Sequence, residues 1–249
     1  MEAHSSKVDY DKLADNYDKH RRGAGPYLER LVELAGASGA ASVLEVGAGT
    51  GNNTQAFLEA YPCRLLALEP SRGMVDKGVA KGIPAHWLRA SGLHIPITDR
   101  AVGFVYGVYI LHYIPDLDAL FAECARVLDR GAAAFVTASR AFIDSHPMNR
   151  YFPSFAKIDR ARFQPVDALT EALKRSGFAH VGVERFVADP QPIGPEYVCK
   201  VASKFISTYA LLPPDEYAEG LRRLEADVAK RGRLDVDVVW ESVAVWGRL

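Results

Sequence analysis

The sequence has only three cysteines, Cys63, Cys124 and Cys199, an odd number set far apart. That excludes a disulfide scaffold and fits thiols kept reduced in a cytoplasm. It has no CxxC pair and no His or Cys cluster at ligand spacing, so no metal site is expected. Nor is either charge in excess: 30 Lys+Arg stand against 31 Asp+Glu, a formal net charge of -1. Binding to a phosphate backbone needs a basic footprint, so nucleic acid is not an expected partner. The longest apolar stretch, residues 104–114, is interrupted by Gly107 and His112. It falls well short of the ~20 residues of a membrane span. Residues 1–12 are polar and do not read as a signal peptide. What remains is an ordinary folded composition, 49% hydrophobic and 24% charged over 249 residues. That suits one large domain or a domain with an added subdomain, expected in the cytoplasm.

From Ser42 onward, short β-branched runs alternate with longer helical patterns, which predicts a parallel sheet wrapped by helices. Residues 42–46 form a first strand, closed by the glycine cluster of residues 47–51, and a helix follows through Asn53, Phe57 and Leu58. Residues 63–68 are a second strand, and Ser71 caps a helix reaching about Val79. Short strand three is 85–88 and strand four 102–108. Pro115 and Asp116 then start a helix through Leu117, Leu120, Phe121, Cys124 and Leu128. Gly131 opens a fifth strand through Thr137. Residues 141–163 mix aromatics, prolines and charges without a period, as an irregular connection or short helices over an active-site face would. A helix over 166–175 ends at Gly177, strands are expected at 180–187 and 236–245, and the helical stretch 195–232, broken at Pro213 and Pro214, is a candidate lid.

The most informative stretch is Val43-Leu44-Glu45-Val46-Gly47-Ala48-Gly49-Thr50-Gly51-Asn52. A strand running through a glycine turn into a helix presents backbone N–H groups at the carboxyl edge of a parallel sheet, where doubly wound folds bind ligands. A GxGxxG dinucleotide fingerprint would place its third glycine at position 52. That position is Asn52 and the glycine falls at Gly51, which disfavours a nicotinamide or flavin cofactor. Glu69 ends the second strand, where a carboxylate can accept hydrogen bonds from both hydroxyls of an adenosine ribose. The alternative is a structural turn with a solvated strand-end charge.

Together with these, several ordered segments resemble the class I S-adenosylmethionine-dependent methyltransferases, in particular the small-molecule type 11 group. They are Tyr10-Asp11-Lys12-Leu13-Ala14-Asp15-Asn16-Tyr17-Asp18, the glycine loop, Glu69-Pro70-Ser71-Arg72-Gly73-Met74, Leu93-His94-Ile95-Pro96-Ile97, Val108-Tyr109-Ile110-Leu111-His112-Tyr113-Ile114-Pro115-Asp116 and Arg126-Val127-Leu128-Asp129-Arg130-Gly131. The resemblance implies a doubly wound, seven-stranded, mostly parallel Rossmann-like sheet of order 3-2-1-4-5-7-6, with the last strand antiparallel. It implies a helical cap over residues 1–40 and a methyltransferase domain over 41–249, with lid elements near 141–163 and 195–232. It also implies S-adenosylmethionine as cofactor and S-adenosylhomocysteine as product. By the same resemblance, the cofactor would contact Tyr17, Glu45, Gly47, Ala48, Gly49, Thr50, Gly51, Asn52, Glu69, Pro70, Ser71, Met74, Ser91, Gly92, Val108 and His112, with Met74 lying on the adenine. Two departures stand out. Ser91 or backbone occupies the place of the usual acidic partner of the adenine amine, and Val102-Gly103 replaces the usual Phe-Asp.

Methyl transfer from a sulfonium is an in-line displacement, in which alignment and exclusion of water matter most. His112, at the end of strand four, either takes a proton from the acceptor or is simply packed. Tyr10 and Tyr17 either close the pocket over the methionine carboxylate or pack a helix, and residues 19–22 are a basic run that reads as a solvated face. His146, Arg150, Tyr151 and Phe152 fall where such enzymes build substrate walls, or on a loop surface. The expected activity is methylation of an O, N, S or C atom of a small organic molecule. The alternatives are a cofactor-binding regulator or cyclase-like enzyme on the same fold, a nucleotide-dependent oxidoreductase, and an RNA methyltransferase.

Overall fold

The computed structural model describes residues 25–249. Its elements follow in order: α1 (Leu28–Ala37), β1 (Ser42–Val46), α2 (Asn52–Ala60), β2 (Arg64–Leu68), α3 (Arg72–Ala80), β3 (His86–Leu88), β4 (Val102–Val108), α4 (Leu117–Val127) and β5 (Leu128–Thr137). Beyond these come α5 (Arg140–Ser145), α6 (Phe155–Arg162), α7 (Val166–Arg175), β6 (His180–Val187), β7 (Gln191–Pro192), α8 (Pro195–Ala202), α9 (Ser207–Leu211), α10 (Pro214–Arg231), β8 (Asp237–Val238) and β9 (Glu241–Arg248). Two 3-10 turns, Leu111–Tyr113 and Pro147–Arg150, complete the path.

Seven strands form one sheet of order β3-β2-β1-β4-β5-β9-β6, in which β9 alone runs antiparallel to its neighbours. This is the expected order, with β9 in the place of strand seven because the small β7-β8 ribbon comes before it. The chain works outward from β1 through β2 to β3, then returns to lay β4 on the other side. That reversal opens a crevice at the carboxyl ends of β1 and β4.

Side chains alternate across the strands, so each face of the sheet has its own core. Leu44, Val46, Leu66 and Leu68 pack with Phe121, Cys124 and Leu173 on one face. Val43, Leu65, Phe104 and Tyr106 pack with Leu31, Leu34 and Phe57 on the other. A bulge between Val102 and Phe104 breaks the alternation, which is why Val102 shares a face with Val105 while Phe104 and Tyr106 face the opposite way.

The same bulge corrects one boundary. Strand five opens at Leu128 rather than Gly131, because Leu128 already pairs with Val102 and residues 129–131 bow out before pairing resumes at Ala132. A Cβ at Gly131 would meet the Gly103 carbonyl oxygen at 1.9 Å, so the bowed chain requires a glycine there. The stretch expected as one strand over 236–245 is two, β8 and β9. β8 pairs with β7 and β9 with β5 and β6, so the chain breaks between the two ladders. The expected caps hold: Ser71 Oγ accepts from Met74 N–H at 3.2 Å, Asp116 Oδ1 accepts from Ala119 N–H at 2.9 Å, and Gly177 follows α7 with φ 95°.

Residues 141–163 are short helices, and with α8, α9 and α10 they enclose a third core of Met148, Tyr151, Phe152, Phe155, Tyr197, Tyr209 and Leu224. The stretch 195–232 is therefore a packed helical layer with its own buried aromatics, seated on the crevice side of the sheet. No described helix is long and apolar enough to cross a membrane.

Candidate functional site

β1 ends in Gly47, whose N–H and that of Ala48 both donate to the Leu68 carbonyl, at 2.8 and 3.0 Å. The turn is thereby tied to the end of β2. Gly47, Gly49 and Gly51 have φ of 73°, 57° and 85°, a region that side chains rarely adopt. At Gly47 a Cβ would also stand 2.3 Å from Ile110 Cγ2, and at Gly51 2.5 Å from Ile83 Cδ1. Gly51 is the N-cap of α2, so the loop delivers that helix's positive end to the crevice. Lys81 Nζ ties the loop from outside through Thr50 Oγ1 at 3.2 Å and Asn52 Oδ1 at 2.7 Å.

Glu69 lies at the carboxyl end of β2 and is buried. Its Oε2 accepts the Gly49 N–H at 2.9 Å and its Oε1 the Ser71 N–H at 2.9 Å, joining the glycine loop to the start of α3. Glu45 lies one layer deeper. The strand alternation turns it into the core beside Phe57 and Tyr106, where its Oε2 accepts from Thr54 Oγ1 at 2.5 Å. Burial raises its pKa to about 7 against the lowering influence of the Thr54 and Tyr106 hydroxyls, and the Glu69 charge raises it further.

In front of the loop is a cavity of ≈ 390 Å³. Gly47, Ala48, Gly49, Thr50, Asn52 and Val108 form one side together with His112. The lining also includes the aromatic side chains Phe142, Phe155, Phe163, Phe205 and Trp240. His112 follows β4 in the 3-10 turn, its ring stacked on Phe163 at 4.2 Å and against Tyr113 at 3.9 Å. Tyr109, in the left-handed region at φ 54°, shares a 2.7 Å hydrogen bond with Ser242 on β9. Both residues line the cavity.

One charged group is sunk into the wall. Thr208 Oγ1 donates to Asp159 at 2.9 and 3.0 Å, and Arg162 pairs with it at 3.3 Å. Burial still raises the Asp159 pKa to about 6, against the pull of Arg162 and Thr208. Arg162 also donates to Ser207 Oγ, which accepts from the Tyr113 hydroxyl as well, both at 2.9 Å. His146 is buried among Phe142, Phe155 and Trp240, with its Nδ1 accepting from Met148 N–H at 3.2 Å, and burial lowers its pKa to about 4.

Of the residues expected to contact the cofactor, seven meet in this cavity wall: Gly47, Ala48, Gly49, Thr50, Asn52, Val108 and His112. Glu69 and Ser71 adjoin it through the Gly49 contact. Gly51 and Glu45 support the loop from behind. Pro70, Met74, Ser91 and Gly92 lie at the β2–β3 edge, outside the wall among the described residues, with Met74 and Gly92 buried and Ser91 exposed. Tyr10, Tyr17 and residues 19–22 lie outside the described residues. Of the four aromatic-stretch candidates, His146 lines the cavity, Tyr151 and Phe152 are buried in the helical core, and Arg150 is exposed. Asp159, Thr208, Lys200, Trp240 and Ser242 were missed, since residues brought together from α6, α8, α9, β9 and the link before β9 leave no spacing to read. Tyr109 had a signal, its place directly after strand four.

The family model described as "Methyltransferase domain" matches residues 44–136, from β1 through β5. An uncharacterized methyltransferase of Geobacillus sp. (strain WCH70) is 25% identical over 181 residues, covering 68% of this chain and 84% of that one. Residues 44–136 thus form a methyltransferase domain of the class I type. The malonyl-[acyl-carrier protein] O-methyltransferase of Geobacter sulfurreducens is 28% identical over 193 residues, 70% of each protein. Among solved structures, a candidate methyltransferase of an antibiotic biosynthesis pathway in Anabaena variabilis superimposes with a TM-score of 0.69 at 20% identity, covering 96% of both chains. Phosphoethanolamine N-methyltransferase 2 of Haemonchus contortus, in complex with S-adenosyl-L-methionine, has a TM-score of 0.59 at 12% identity, covering 98% of this methyltransferase and 61% of that chain. At such identities the likeness is one of fold.

Proposed function

We propose that this methyltransferase binds S-adenosylmethionine on the glycine loop and transfers its methyl group to a nucleophilic atom of a small organic molecule in the adjoining cavity. The observation that carries the reading is Glu69, a buried carboxylate held by the Gly49 and Ser71 N–H groups beside the loop. A carboxylate so placed suits two ribose hydroxyls, and the positive end of α2 at Gly51 suits the methionine carboxylate. Thr50, Asn52 and Val108 would flank the cofactor, with Met74, Pro70, Ser91 and Gly92 toward its adenine end, Glu45 and Gly51 supporting the loop, and Tyr17 contributed by the N-terminal cap.

When bound, the cofactor supplies an electrophilic methyl carbon on a positively charged sulfur. The acceptor's lone pair forms the new bond to carbon as the carbon–sulfur bond breaks, and that electron pair remains on sulfur. The chain's contribution is chiefly to hold the acceptor in line and keep out water, for which the aromatic wall of Phe142, Phe155, Phe163 and Trp240 is suited. His112, at the junction of loop and wall, would receive the acceptor's proton where one must leave. The helices over 141–163 and 195–232 serve as the substrate cover. The balanced charge and the three free thiols favour a small acceptor and a cytoplasmic setting.

The test is Glu69→Gln. An amide presents an N–H where one backbone N–H needs an acceptor, and loses the charge. Each hydrogen bond to a charged group is worth roughly 1.5–3 kcal/mol, so S-adenosylhomocysteine should bind ~10- to 150-fold more weakly to a folded variant. An unchanged affinity would remove the ribose assignment. A second reading, an acceptor carried on a protein, is favoured by the likeness to the Geobacter sulfurreducens enzyme. It predicts turnover with a malonyl carrier protein and none with the free acid.

A further inference from the structure

We propose that the methyl acceptor carries a protonated amine, and that the Asp159 carboxylate on the cavity face of α6 binds that ammonium group. The inference rests on the methyl-transfer reading above and names its acceptor class. Phe155, Asp159 and Phe163 stand four residues apart along α6 and its C-cap, so their side chains share one face, and all three line the cavity. Lys157 and Arg160 lie off this stripe and are exposed. Asp159 thus interrupts an aromatic stripe between two wall-forming rings, where an apolar residue would complete the pattern. Such a break is expected at a functional position. Its side chain keeps 9% of its surface accessible, and beyond Cβ that side chain is only the carboxylate.

The carboxylate is held in place without being fully compensated. A single hydroxyl, Thr208 Oγ1, serves both of its oxygens, and Arg162 reaches Oδ1 at 3.3 Å while donating to Ser207 Oγ at 2.9 Å. That contact is longer than the about 2.7–2.9 Å usual for a charge-assisted bond. Burial accordingly prevails, raising the Asp159 pKa to about 6 against Arg162 and Thr208, and the group is still mostly ionised at pH 7. Tyr209 on α9 is a further titratable group within its electrostatic reach, and burial holds that hydroxyl in its neutral form. A buried anion in this condition gains from a second cation. Among the described residues of the lining the one Lys or Arg is Lys200, already paired with Glu196 at 3.2 Å, so the cation has to come with the ligand. Aromatic surroundings suit an organic cation and disfavour an anion. One helical turn from Asp159, the Phe163 ring stacks on His112 at 4.2 Å, so an amine held by the carboxylate lies toward the glycine-loop side of the cavity.

Benzylamine, benzyl alcohol and benzoate share one ring and differ in charge. Each is titrated by ligand-observed NMR, at neutral pH, into the full chain saturated with S-adenosylhomocysteine. Benzylamine should bind roughly tenfold more tightly than benzyl alcohol, and benzoate more weakly than both. Asp159→Asn keeps an oxygen for the Thr208 hydroxyl and loses the charge. It should remove the benzylamine advantage and leave benzyl alcohol unchanged, while Asp159→Glu, which keeps the charge, should still prefer the amine. In the wild type, saturating benzylamine should lower the pH at which the Asp159 carboxyl carbon titrates, because a neighbouring cation favours the ionised form, and this reading decides even if the variants do not fold. Equal binding of benzylamine and benzyl alcohol, no saturable benzylamine binding, a benzylamine advantage that survives Asp159→Asn, parallel losses of amine and alcohol in that variant, or an Asp159 titration unmoved by benzylamine would overturn the inference. Failure to bind S-adenosylhomocysteine in the same samples overturns the methyl-transfer reading and this inference with it. Its binding without amine selectivity overturns the inference alone.

Discussion

Glu45 makes the glycine loop's support sensitive to pH. The strand alternation buries its carboxyl behind the loop, where loss of hydration raises its pKa from 4.5 to about 7 despite the Thr54 and Tyr106 hydroxyls. The folded protein therefore holds this proton more tightly than the unfolded chain. Between pH 4.5 and about 7 the folded state binds more protons, so stability falls as pH rises. Glu45's contribution is complete below the unfolded value and lost as pH passes the folded one. The interval corresponds to about 3 kcal/mol. Glu45→Gln keeps an oxygen for the Thr54 hydroxyl and cannot ionise, so it removes the dependence. Urea unfolding of both proteins at pH 4.5 and 8.5 reads the difference directly, because other titrating groups cancel in the comparison. Relative to the variant, the wild type should lose about 3 kcal/mol across that range, a change in relative midpoint on the order of 1 M urea. A stability difference constant to within about 0.5 kcal/mol would refute the burial argument, since surface substitutions stay within that band.

His146 should act in the opposite sense. Its folded pKa is lowered to about 4, so the stability it brings is present above 6.5 and lost as pH falls toward 4, and His146→Asn should flatten that acid limb in urea titrations. Thr208→Val removes the hydroxyl that donates to both Asp159 oxygens, so the Asp159 carboxyl, at about 6 in the wild type, should titrate higher by carbon NMR; a lower value would contradict the bonding described. Gly47→Ala forces φ 73° on a side chain and a 2.3 Å approach to Ile110, and should cost roughly 1–3 kcal/mol in thermal unfolding. Tyr109→Phe removes the 2.7 Å bond to Ser242 and should cost about 0.5–1.5 kcal/mol by urea unfolding.

The elements legible in the sequence are those written locally. Ser71 and Asp116 announce their helices because a cap is a three-residue interaction, and the glycine loop announces itself because only glycine tolerates its backbone. The bulge before Ala132 was not legible, since it exists only where Gly131 meets Gly103 on the neighbouring strand. The break between β8 and β9 was hidden for the same reason, as alternation continues across it while the pairing partner changes. In the site, the glycine-loop side is a contiguous motif visible in the sequence. The rest of the cavity wall includes Tyr109, His146, Asp159, Thr208, Trp240 and Ser242, whose contacts span up to 133 residues and follow no period. Glu45 sits in a binding motif by sequence, yet its place on the inward face of β1 makes it a support for the loop.

The most direct test of the central claim is calorimetric titration of the purified protein with S-adenosylhomocysteine, with NADH as a control. The account predicts saturable one-site binding of S-adenosylhomocysteine and none of NADH. A folded sample that binds NADH, or that fails to bind S-adenosylhomocysteine, would contradict it.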